Sequence, residues 1–115
     1  MRKWAYFSRP ISYNGAKVLK IMLYQIASGE VYAFLYTKKD AQICSFDEWY
    51  PSLQEALSAW DAKAHSEWIA TDDPLPGCQV DAFDPIRVKG RAEGSPEWGK
   101  YEILCDGVWQ EYKEK

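Results

Sequence analysis

Four aspartates, Asp72, Asp73, Asp81 and Asp84, sit close together in a proline-rich stretch of this 115-residue chain. Carboxylates gathered in this way can hold a divalent cation or divide acid and base roles between them. Their order does not match an EF-hand loop, and Pro74 and Pro76 interrupt the run. Asp73-Pro74 and Asp84-Pro85 are ordinary turn chemistry, so the spacing predicts neither a metal site nor a catalytic pair. His65, the only histidine, falls at the end of a helical pattern, where the helix dipole favours a cation. Cys78, in Pro-Gly-Cys-Gln, is expected exposed in a loop, and would need a cation such as Arg87 beside it to become reactive. Cys44 and Cys105 lie in strand-like contexts and read as small buried hydrophobes.

A second set of residues is cationic. Arg87, Lys89 and Arg91 alternate, so an extended chain from Ile86 to Arg91 would place all three on one face, with Ile86 and Val88 opposite. Flanked by Trp98, such a strip would suit phosphate, RNA or an acidic protein surface. The same charges would also guard an edge strand against aggregation. Gly90 and Gly94 lack the Gly-Lys-Ser/Thr order of a phosphate loop. With one histidine and no Cys-x-x-Cys, the usual structural zinc site is excluded, and no cofactor is expected.

Composition narrows the partners. A net charge of −3 and a pI near 5.1 disfavour general nucleic-acid binding on electrostatic grounds and suit a basic partner better. Six Trp and eight Tyr supply either a full core or an exposed binding face. Three cysteines without paired spacing fit reduced thiols in a cytoplasmic protein. The opening residues have no apolar secretion-signal core. No run approaches the roughly eighteen apolar residues of a membrane span.

The elements that must position these residues are mostly strands. Residues 3–9 read as a strand ended by Pro10, and Asn14-Gly15 as a turn. Lys17–Ala27 is apolar on both faces and pairs with Val31–Thr37 across Ser28-Gly29. A short strand is expected around Gln42–Cys44. Pro51–Ala64 carries the one helical pattern, opened by the capping box of Ser52 and Glu55, with Trp49-Tyr50 stapling its start. Further strands fall at 67–71, 86–89, 101–105 and 108–113, the last two joined by Asp106-Gly107 in a type I′ turn.

These elements predict a single α+β domain over 1–115: an antiparallel, curved sheet of six or seven short strands with one helix on a face, or a small partly open barrel. Thr71–Lys100 holds four of the six prolines and four of the seven glycines, yet Phe83 and Trp98 argue for order there. The expected function is non-catalytic protein binding through the 71–100 surface, in an accessory or immunity-type bacterial protein. The binding residues are Asp72, Asp73, Phe83, Arg87, Lys89, Arg91 and Trp98. Pairing of two copies through an edge strand is a further expectation. The alternatives are single-stranded nucleic-acid binding by exposed aromatics with the cationic strip, and a small enzyme built on Asp72–Asp84.

Overall fold

The computed structural model describes residues 1–65 and 67–114. Eight strands and one short helix form an antiparallel α+β fold. Five strands, β1 (Arg2–Tyr13), β2 (Ala16–Gln25), β3 (Val31–Tyr36), β4 (Phe46–Tyr50) and β5 (Ile69–Thr71), make an open sheet in the order β4-β3-β2-β1-β5. The sheet does not close into a barrel. Between β4 and β5 lie helix α1 (Leu53–Trp60) and a 3-10 turn over Asp61–Lys63. A second sheet is built from β6 (Ile86–Val88), β7 (Tyr101–Cys105) and β8 (Val108–Tyr112).

The central hairpin follows from the alternation of β2 and β3, whose two faces are both apolar and both covered. Ile21, Leu23, Val31, Ala33 and Leu35 face α1 and are fully buried with Ala56 and Trp60. Ser52 caps α1, its hydroxyl accepting from the Glu55 amide at 3.2 Å. The helix is shorter than the Pro51–Ala64 pattern implied, ending at Trp60 before the 3-10 turn. The expected staple at its start is not what Tyr50 makes: its hydroxyl accepts from Trp60 Nε1, at the last residue of α1, at 2.9 Å, while Trp49 is 52% exposed. Both expected turns form, with φ of 45° and 81° at Asn14-Gly15 and 50° and 78° at Asp106-Gly107.

Other elements depart from the pattern for identifiable reasons. β1 does not stop at Pro10; its pairing jumps from Tyr6–Lys20 to Ile11–Val18, and Pro10 lies in that bulge, where no ladder donor is required. Phe7, at the start of the bulge, packs 5.7 Å from Trp60. Lys38–Trp49 reads in the sequence as a connection with a short strand at Gln42–Cys44; instead Gln42–Cys44 is a loop and Phe46–Tyr50 is the edge strand β4. The strand expected to reach Lys89 or Arg91 ends at Val88, because the chain turns at Gly90 (φ 78°). A Cβ on Gly90 would lie 2.2 Å from the Ser95 carbonyl oxygen, so that turn admits only glycine.

The other face of the large sheet carries Arg2, Trp4 and Tyr6 from β1, Lys20, Met22 and Tyr24 from β2, and Tyr32, Phe34 and Tyr36 from β3. Two irregular segments, 38–45 and 72–85, lie over it. Phe83 plugs this cover, packing against Trp4 at 5.5 Å and Tyr36 at 5.3 Å.

Candidate functional site

Irregular chain leaves backbone carbonyls without ladder partners, and buried ones must find donors. The sheet supplies them. Arg2, 3% exposed, donates from Nε to the Asp72 carbonyl at 2.6 Å and from Nη1 to the carbonyls of Val80 at 3.0 Å and Ala82 at 2.6 Å. Lys20, 4% exposed, donates to the carbonyls of Lys39 at 2.7 Å and Ala41 at 2.8 Å, with its ammonium 4.1 Å above the Phe83 ring. The Tyr36 hydroxyl donates to the Asp81 carbonyl. Burial pulls the Arg2 guanidinium below its usual value, against the attraction of Tyr36 and Asp73. Burial likewise pushes the Lys20 ammonium down to about 8, opposed by Asp40 and Glu114. Tyr36 is driven upward, by burial first and then by Asp81.

Between the 72–85 segment and Arg2 lies a cavity of about 260 Å³. Its lining includes Asp72, Asp73, Leu75, Cys78, Phe83 and Asp84. Thus three of the expected binding residues, Asp72, Asp73 and Phe83, meet in one place. Asp81 is absent from that lining; it is buried, and its Oδ2 accepts from the Cys44 amide at 2.8 Å. Asp84 Oδ2 accepts from Gln42 Nε2 at 2.7 Å, and Gln42 Oε1 in turn accepts the amides of Phe83 and Asp84. The Met1 amine pairs with Asp73 at 2.9 Å.

The cationic strip does not assemble. Arg87 is committed to Glu102 at 3.1 Å and lies 3.8 Å over the Trp109 ring. Lys89 is exposed and borders a separate groove with Lys100, Tyr101 and Tyr112. Arg91 follows the turn at Gly90 and is exposed, outside any strand. Trp98 does not pin the segment, being 76% exposed. Cys78 is buried rather than exposed, because the Leu75–Cys78 turn folds it onto the cavity wall. Burial raises its thiol pKa and Arg87 and Arg91 offset that only in part, so the thiolate nucleophile is disfavoured. His65 is exposed, outside the cavity lining. Among the described residues no group of three His, Cys, Asp or Glu side chains is arranged to hold a metal ion. No helix among them is long and apolar enough to cross a membrane.

No protein-family model matches this chain, and no curated protein or solved structure matches it.

Sequence reasoning missed Arg2, the residue on which the cavity is built. A signal was present: Arg2, Trp4 and Tyr6 alternate into an aromatic face, and Lys20 interrupts the apolar series Val18, Met22, Tyr24 in the same way. A cation at such a position is the donor that an irregular cover needs.

Proposed function

We propose that this chain is a non-catalytic protein-binding unit that engages a basic partner through its 71–100 surface. The observation that carries the reading is the cavity of about 260 Å³, where Asp72, Asp73 and Asp84 surround an opening beside exposed Leu75. Arg2 at its base keeps its charge while donating to three carbonyls, and the Met1 amine pairs with Asp73, so three carboxylates against two cations leave a mildly acidic, partly apolar mouth suited to a lysine or arginine side chain. Leu75, Val80 and Trp98 are exposed large hydrophobics of the same segment, and contacts of this kind surround hot spots in protein interfaces. Three free cysteines fit a reducing cytoplasm, and an accessory or immunity-type role in a bacterial cell would use such a surface by complementarity alone. Pairing of two copies through β8, an edge of the second sheet, is compatible with this surface.

The nucleic-acid alternative is less well supported. Phe34 lies under the Phe83 plug, and the Arg87 charge is neutralised by Glu102. Catalysis lacks an activated nucleophile in the cavity.

Calorimetric titration with a lysine-rich peptide tests the proposal. Binding should weaken with added salt, and the combined Asp72→Asn, Asp73→Asn, Asp84→Asn variant should lose about tenfold in affinity or more. Equal binding by the variant, or no preference over a glutamate-rich peptide, discards it.

A further inference from the structure

Beyond the 72–85 cover, the second face of the large sheet ends in a row that neither irregular segment hides. Tyr24 of β2 pairs in register with Tyr32 of β3, and Tyr32 with Trp49 of β4, so the three side chains share one face on adjacent strands. Tyr24 and Tyr32 are half-buried and Trp49 is 52% exposed. Phe34, two residues along β3 on the same face, lies beside Tyr32 with ring planes 5° apart and centroids 6.4 Å apart, so a buried ring flanks the row. Exposed Asp47, two residues before Trp49 and paired with Phe34, stands beside it on the same face.

We infer that this row is a docking site for a proline-rich segment in the polyproline II conformation, carrying a basic residue at one end. Three observations select that occupant. The first is spacing. Tyr24 and Trp49 lie two strands apart, about 9.6 Å, and one three-residue turn of polyproline II advances about 9.3 Å. Successive turns of the ligand therefore meet the two outer rings. The second is hydrogen-bond sense. Among the described residues, the hydroxyls of Tyr24 and Tyr32 and Nε1 of Trp49 have no hydrogen-bond partner, and all three can donate. A proline-rich backbone offers carbonyl acceptors without competing N–H donors, and in this conformation none is used internally. The third is charge. Arg2 continues the row beyond Tyr24 but is buried under the 72–85 cover, so the exposed charge at the open end is Asp47, in the adjoining register row, which disfavours a phosphate backbone and complements an arginine flank. Aromatic-lined surfaces that read proline-rich segments work through these same contacts.

The row does not line the 72–85 cavity, although Tyr24 shares a neighbouring groove with Asp73 and Pro74, and its test does not depend on the reading of that cavity. Heteronuclear NMR titration of the full chain with an arginine-capped oligoproline should shift the amides of residues 24, 32 and 49 and their neighbours, leaving 78–85 on the far side of the cavity unmoved. Trp49→Ala, at an exposed position that does not threaten folding, should weaken binding by about tenfold. Tyr32→Phe, which keeps the ring, should weaken it by about threefold, and Asp47→Asn should abolish the preference for the arginine-capped peptide over uncapped oligoproline. The proposal is overturned if an arginine-capped glycine-serine peptide binds as well, if a cello-oligosaccharide or oligothymidylate binds more tightly than the oligoproline, or if Trp49→Ala leaves the affinity unchanged.

Discussion

The two faces of the five-stranded sheet are covered in opposite ways. On one, α1 closes its mid-helix backbone bonds internally and its backbone asks nothing of the sheet, which meets it with the apolar side chains of Ile21, Leu23, Ala33 and Leu35 and one side-chain bond, from Trp60 to Tyr50. On the other, the irregular segments 38–45 and 72–85 bring carbonyls that the sheet must satisfy, and Arg2, Lys20 and Tyr36 donate to six of them. A regular cover asks the sheet for hydrocarbon; an irregular one asks it for donors. This explains two buried cations with no carboxylate in contact among the described residues, an arrangement that would be costly if their acceptors were removed.

That contrast can be broken by exchanging the donors. Arg2→Met keeps an apolar stem but orphans three carbonyls, and should destabilise the fold by about 4 kcal/mol in urea denaturation. Trp60→Ala, on the helical side, leaves a cavity but orphans no polar group, since the Tyr50 hydroxyl keeps its bond to Glu48, and should cost about 3 kcal/mol. The two should differ in kind: amide exchange in Arg2→Met should accelerate first at residues 78–83, and in Trp60→Ala first within α1. Simultaneous acceleration of both regions by either variant would erase the distinction.

Lys20 sharpens the comparison through pH. Its folded-state pKa of about 8 lies below the ordinary 10.5, so between these values the unfolded chain binds the additional proton and stability rises with pH. Below about 8 the buried charge is a cost carried in full; above 10.5 the gain is complete. The neutral amine still has two N–H groups for the carbonyls of Lys39 and Ala41. Subtracting the Lys20→Met profile should therefore isolate a rise of up to about 3 kcal/mol across that window. A flat difference would show that the ammonium is not desolvated by its cover. The smallest effect is expected at the helix cap, where Ser52→Ala should cost about 1 kcal/mol, with slower-exchanging amides of segment 72–85 unchanged.

The helical side was also the more legible in the sequence. The alternation of β2 and β3, the Asn14-Gly15 and Asp106-Gly107 turns and the Ser52 cap are local signals, each settled by a few neighbouring residues. The second face depends on partners 19 to 80 residues away, and charge at Arg2 and Lys20 argued locally for solvent. β4 was hidden for a related reason: Asp47 and Glu48 read as connection, whereas an edge strand tolerates such charge because one flank is open. Asp72, Asp73 and Phe83, singled out because prolines and aromatics mark an ordered excursion, do line one cavity. Arg87, Lys89 and Arg91 failed to assemble because alternation in sequence builds a common face only while the strand continues, and Gly90 ends it.

The Arg2 contacts also impose an order in time. Asp72 follows Arg2 by 70 residues and Ala82 by 80. At roughly 5–20 residues per second, a nascent chain exposes this arginine for about 4 to 16 s before its last acceptor is synthesised. The helical face can close while translation continues; the irregular face must wait, so a ribosome halted between α1 and Asp72 would hold a half-clad sheet with its aromatic side open to chaperones.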